Sequence, residues 1–399
     1  MANAFNVSSL IAKEVVATLS SEGNMINTVD KTRAKDLEGR SYRGGTTVTV
    51  DIEPQFSVTS GRVATVQDAT HSSVAISVNQ FNAAIQWTSM EKSFSMPQVQ
   101  KYAQNLGRRI LRKMETDGLA LASGVALNVG TSGTEPANYR NWADGYAKAR
   151  TFLSPDRGVY GAVTPMGMAA MSDSLKGLQN PADDVGNQYV KGRVKKMAGI
   201  NFFESPSVFR HTGGTQATNV LLVNGAAQIG ASLIVDTGTG SSTITAGTKF
   251  TIAGVFAVDP ETKTTLSFLR EFTTTAALTL ASGAGTLAIS PAIVTSGGNQ
   301  NVSTGPGDNA AITIMGSAFN SQAGSQNLIY QEDAITLVSL PLMAAETKGT
   351  HSYADYDGIQ VRVGFGGWDA LNDTEILRVD LVYGWGILRQ DHCAVVWGA

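Results

Sequence analysis

Residues 46–87 read TTVTVDIEPQFSVTSGRVATVQDATHSSVAISVNQFNAAIQW, and residues 95–121 read SMPQVQKYAQNLGRRILRKMETDGLAL. The change of period between these two stretches decides the fold class. In the first, Val48, Val50 and Ile52 alternate with polar residues, and so do Val74, Ile76 and Val78. Successive side chains of a strand point to opposite faces, so each run has one apolar face, and the pair predicts a long antiparallel ribbon interrupted at Pro54. Two strands are marginal alone in water, so the ribbon needs a further surface, from its own domain or from a neighbouring copy. In the second stretch, Val99, Ala103, Leu106, Ile110 and Met114 recur every three or four residues. With Ser95 as a cap and Pro97 in the first turn, this predicts a long helix from Ser95 to Leu121, in spite of Gly107.

Upstream, Leu10, Ile11, Val15, Val16 and Leu19 are near helical spacing and Ser8 or Ser9 can cap, so Val7 to Leu19 predicts a short amphipathic helix. From Gly23 to Gly45 the chain is polar, with little apolar period, and reads as an extended arm tied down by something other than its own core. Downstream, Asn138 to Arg210 mixes helical pieces (Trp142 to Phe152, Pro165 to Leu175) with a strand at Gly161 to Thr164, an α+β pattern. From Thr218 to Asn327 the composition turns to Thr, Ser, Gly, Val and Ile, in pieces such as TKFTIAGVFAVD and AALTLASGAGTLAIS that alternate as strands between glycine turns. A β-barrel or sandwich-like module is predicted there. Long strands return in DAITLVSLPL, GIQVRVGFGG and EILRVDLVYGWGIL.

Of 399 residues, 30 are Lys or Arg and 33 are Asp or Glu, a charged fraction of 16%, while 42 are Gly and 42% are apolar. The length suggests two or three domains with at least one full-sized core. A formal charge of -3 sets up no long-range field for DNA or anionic lipid. The single cysteine, Cys393, excludes an intramolecular disulfide and favours a reducing compartment. The opening MANAFNVSSLIAKEVVATLSS has no basic n-region and carries Lys13 and Glu14 within its apolar stretch, which argues against a signal peptide. Phe272 to Gly307 contains no charged residue, but its Thr, Ser, Gly and Pro291, with no Lys or Arg close after it, argue against a membrane span.

Constellations for chemistry are missing from the sequence. His71, His211, His351 and His392 are far apart and without metal-ligand spacing, and no metal or cofactor is expected. His392 precedes Cys393, but no third orienting group accompanies them, so a packed thiol is the reading. There is no P-loop, no G-x-S-x-G elbow and no dinucleotide fingerprint. Asp183-Asp184 and Glu332-Asp333 read as solvated turn residues. On the long helix, Arg108, Arg109 and Arg112 could meet a polyanion, without sequence-specific readout. Arg40, Arg43, Glu53, Arg62 and Asp68, on the arm and ribbon, are candidates for ion pairs between subunits.

The order of elements resembles the major coat proteins of tailed bacteriophages with the Hong Kong ninety-seven type fold, and among them those of the P-twenty-two type, which carry an inserted β-barrel. The strings that carry the likeness are TAGTKFTIAGVFAVD (245–259), YQEDAITLVSLPL (330–342) and LRVDLVYGWGILRQDHCAV (377–395). The resemblance spans nearly the whole chain. It implies an α+β fold with an N-terminal arm over 1–43, an extended loop over 44–93 and a peripheral domain with its spine helix over 94–137. Residues 138–217 would form an axial and peripheral α+β region, 218–327 the inserted domain, and 328–399 the returning core strands. It further implies a non-enzymatic protein that assembles with copies of itself, as hexamers and pentamers, into an icosahedral virion shell. Assembly in the host cytoplasm, a scaffolding protein, a portal, possible decoration proteins and expansion around packaged double-stranded DNA belong to the same implication, with no membrane. The charge-poor insertion does not support the inter-capsomer salt bridges of relatives, and no Lys/Asn cross-link constellation predicts covalent chainmail. The alternatives are an encapsulin-like compartment shell and, from another class, a β-rich carbohydrate-binding or adhesin protein; an enzyme is third.

Overall fold

The computed structural model describes residues 7–31, 46–52, 56, 61–62, 66, 72–131, 133–152, 157–174, 192–215, 221–237, 242–280, 283–315, 323–342, 351–366 and 368–398. The chain forms two compact units that it visits alternately. The first holds 1–50, 73–118 and 335–386, and the second holds 51–72, 119–334 and 387–399.

In the first unit the predicted alternation is realised. Val48, Val50, Ile76 and Val78 are buried, and strands Thr47–Ile52 and Ser72–Ser77 form a two-stranded sheet. The ribbon's second arm does not end at Trp87 as a free hairpin strand. Asn79–Thr88 pairs antiparallel with Thr374–Ile387, Gln86 opposite Ile376 and Gln80 opposite Val382. That strand also pairs with Ile359–Phe365, which pairs with His351–Tyr356; Ile335–Ser339 completes a five-stranded sheet. Leu377, Val379, Leu381 and Tyr383 turn one face of the long strand into the core.

The long helix starts earlier than its proline suggested, running from Ser89 to Leu119 through Pro97. A capping box at Thr88-Ser89-Met90-Glu91 starts it. The Thr88 N–H donates to the Glu91 carboxylate at 2.9 Å and the Glu91 N–H donates to Thr88 Oγ1 at 3.3 Å, so two N–H groups with no helical partner are satisfied reciprocally. Gly107 has a packing reason. A Cβ there would lie 3.4 Å from Val15 Cα, in contact with the first helix, Val7–Glu22, so a side chain larger than a methyl group would push that helix away. Residues 24–31 are turns, not an extended arm, with Met25, Ile26 and Val29 buried. Glu115 holds this segment, its Oε1 accepting from the N–H groups of Asn24 (2.6 Å) and Met25 (3.3 Å). The rest of the predicted arm, 32–45, lies outside the described residues.

The second unit combines a mixed sheet with a barrel. The six-stranded sheet runs in the order 128–129, 393–396, 327–331, 159–163, 200–204, 196–197. Helices Tyr139–Thr151 and Pro165–Ser174 fall close to their predicted positions, and Trp142 packs edge-on to Phe202 at 4.8 Å between ring centres. The 218–327 segment supplies a closed barrel of strands 230–237, 283–293, 265–274, 249–258, 311–314 and 221–223. Leu233 with Val235, Phe250 with Ile252, and Leu287 with Ile289 fill it at period two. Much of the uncharged run 272–307 is barrel strand and turn, and among the described residues no helix is long and apolar enough to cross a membrane.

Candidate assembly surfaces and barrel junction

The long helix sorts its basic residues by role. Arg108 grips Glu22 of the first helix, with Nε 2.8 and 2.9 Å from the two carboxylate oxygens, and that pairing raises the guanidinium pKa further. Four residues earlier, Gln104 Nε2 donates to Glu14 Oε1 at 2.5 Å. Arg108 therefore ties two helices of its own unit together, which gives it a structural task besides any contact with a polyanion. Arg109 and Arg112 are exposed. Toward the helix end, Tyr383 Oη donates to Asp117 Oδ2 at 2.8 Å and stacks on Phe81 at 4.5 Å.

On the polar face of the five-stranded sheet, Asp380 is 3% exposed. It accepts from Arg362 (2.7 Å), Arg378 (2.7 Å) and Gln80 (3.1 Å). Burial works against its charge, but these donors outweigh it and hold the carboxyl below its ordinary range. Several large apolar residues of this unit remain open to water, Leu371 at 95% and Trp368 at 58% exposure among them.

Of the residues proposed for contacts between subunits, Arg40, Arg43, Glu53 and Asp68 lie outside the described residues. Arg62 is described and exposed. Val66, on the same segment, is 91% exposed. Cys393 is buried, and burial pushes its thiol pKa up, so it is a packed and unreactive thiol.

The reading of the sequence missed three residues where the barrel meets the rest of its unit. Lys249, 1% exposed, donates to the carbonyls of Ala122 (2.9 Å) and Ser123 (2.8 Å) and to Thr273 Oγ1 (3.3 Å). Arg270, also 1% exposed, pairs with Asp391 and lies over the Phe152 ring at 4.7 Å. Glu271 pairs with Lys148 and accepts the Asn128 N–H at 2.9 Å. Beside them opens a cleft of about 380 Å³, walled by Phe152, Val258, Pro260, Leu388 and the Arg270–Asp391 pair. One signal was available: charges standing inside strands of a segment that otherwise lacks them.

One unit thus joins a charge-poor barrel to a mixed sheet, and the other holds a long helix, a ribbon and an antiparallel sheet, the elements expected of a phage coat protein. The chain belongs to the P22 coat protein family, whose model, described as P22 coat protein - gene protein 5, matches residues 1–395. It is a phage major capsid protein, a structural component of the virion capsid that assembles into multimeric shells, and the family selects this reading over the compartment and adhesin alternatives. No curated protein matches the chain at a significant level. Solved structures similar to it include one of Mycobacterium phage Che8, 11% identical with a TM-score of 0.47, covering 94% of this chain and 90% of that one. The capsid of cyanophage P-SCSP1u is 12% identical with a TM-score of 0.44, covering 90% and 85%. A virus-like particle from Pyrococcus furiosus is 6% identical with a TM-score of 0.40, covering 97% of each chain.

Proposed function

We propose that this coat protein assembles as hexamers and pentamers around a scaffolding protein, with a portal at one vertex, in the cytoplasm of the host bacterium. The procapsid then expands as double-stranded DNA is packaged, and decoration proteins can add to its outside. The observation that carries the self-association is the amount of large apolar surface left to water, above all Val66 and Leu371 at 91% and 95% exposure. Such side chains gain their burial in obligate contacts with neighbouring copies. In this reading Arg40, Arg43, Glu53, Arg62 and Asp68 pair with neighbours, while Arg109 and Arg112 face the lumen. A net charge of -3 suits a container that must let DNA slide, since a strongly basic wall would hold it by counterion release. The protein does no catalysis. Electron microscopy of the purified chain, alone and with its scaffold, tests the proposal: closed shells with hexamers and pentamers are expected when the scaffold is present. A chain that stays monomeric under both conditions would sink it.

A further inference from the structure

The insertion over 218–327 has eight charged residues in 110 positions: Asp236, Lys249, Asp259, Glu261, Lys263, Arg270, Glu271 and Asp308. Three of the eight, Lys249, Arg270 and Glu271, are buried, and each reaches a different element outside the barrel. Lys249 takes the carbonyls at the 3-10 turn Ala120–Gly124. Arg270 takes Asp391 in the 3-10 turn Gln390–His392. Glu271 takes Lys148 on the helix Tyr139–Thr151 and the Asn128 N–H on the strand Asn128–Val129. Arg270 and Glu271 are consecutive in one strand, and both also reach the end of the helix Tyr139–Thr151, Glu271 through Lys148 and Arg270 over Phe152, the residue that caps it.

A barrel that needed only to be attached could be attached by apolar contacts, which tolerate sliding. Buried ion pairs add little net stability over apolar packing of the same volume, but they are directional, and breaking one leaves an uncompensated charge. We propose that Lys249, Arg270 and Glu271 are positioning residues that fix the attitude of the barrel on its own subunit, and that a uniform shell depends on that attitude. This rests on the shell reading and deepens it. A ten-residue strand spans about 33 Å, so a tilt of about 5° at the clamp displaces the far end by about 3 Å. Closed symmetric assembly needs the same patch in the same place on every copy. Close-packed contacts do not absorb a displacement of that size.

The test removes every charge of a cluster together, so that no buried charge is orphaned: Arg270→Met with Asp391→Asn, and Lys148→Met with Lys249→Met and Glu271→Gln, because the Glu271 carboxylate also stabilises the buried Lys249 ammonium. Each variant is compared with the parent full-length chain by hydrogen exchange of strands 249–258 and 265–274, and by the diameter distribution of its shells in electron microscopy. Barrel protection within threefold of the parent is expected, together with at least a threefold fall in the fraction of closed shells of the parental diameter. Parental shells from both neutral variants would overturn the inference. So would loss of barrel protection in both neutral variants, because the clamp would then serve folding. The parent is the baseline, so a failure of the shell reading is seen in the parent, and a failure of this inference only in the variants.

Discussion

His211 lies close to the Lys249 ammonium and carries a pH dependence that follows from that placement. Its Nε2 is 3.0 Å from the Ala246 carbonyl and 3.1 Å from Thr245 Oγ1. Burial first, and the nearby Lys249 charge second, lower its pKa from 6.5 to about 4. The unfolded chain thus takes up a proton at higher pH than the folded one. The contribution to stability is complete above pH 6.5 and is lost as pH falls from 6.5 through about 4, a total of about 3 kcal/mol. His211→Gln removes the titration: between pH 7 and 4.5, urea unfolding of the parent is expected to lose about 2–3 kcal/mol more than the variant. Equal losses would place the acid sensitivity elsewhere. Asp380 behaves in the opposite sense. Its lowered pKa keeps the Arg362 and Arg378 contacts intact as pH falls through the ordinary carboxylate range. Asp380→Ala leaves two guanidinium groups without their buried partner and is expected to cost about 2–4 kcal/mol in the same measurement.

Among the elements, the long helix separates local sequence signals from tertiary ones. Two N-terminal signals compete in it, Ser95 with Pro97 and Thr88 with Glu91. The second prevails because the strand Asn79–Thr88 is held to its partner up to Thr88, where it pairs with Thr374. The helix begins where that ladder ends. Removing the box with Thr88→Ala is expected to cost about 1 kcal/mol, read as a lower denaturation midpoint with an unchanged slope. Gly107 is the tertiary signal. Local propensity counts it as a weakness, whereas Val15 Cα and Thr18 Cβ, 3.4 and 3.5 Å from where a Cβ would stand, leave space there for a methyl group and no more. Gly107→Leu is expected to destabilise the first unit by about 1–3 kcal/mol through overpacking, and an unchanged midpoint would mean that the first helix can be displaced without cost. Strand alternation in the barrel was legible in advance because period two is a local property. The turn at 24–31 was not, because Met25 and Ile26 lie in a polar context and gain their burial from residues about 90 positions away.

For the whole molecule, two charge changes separate folding from assembly. Arg62 is exposed, so Arg62→Glu should leave the thermal midpoint of the monomer unchanged while lowering the yield of shells several-fold. Equal loss of soluble monomer would assign Arg62 to the fold. Arg109→Glu with Arg112→Glu should leave assembly intact but make DNA retention less sensitive to salt, because two fewer cations per copy release counterions. An identical salt slope in parent and variant would remove these residues from the lumen-facing surface. The sequence by itself determined the α+β class, the helices at 7–19, 142–152 and 165–175, the β-rich insertion and the order of elements, since each is a matter of local period and composition. Tertiary structure decided what Arg108, Lys249, Arg270 and Glu271 do. A charge in the sequence reads the same whether it is free in solvent or paired, and only its partners, 86 residues away for Arg108 and 121 to 127 for Arg270, Glu271 and Lys249, distinguish the two.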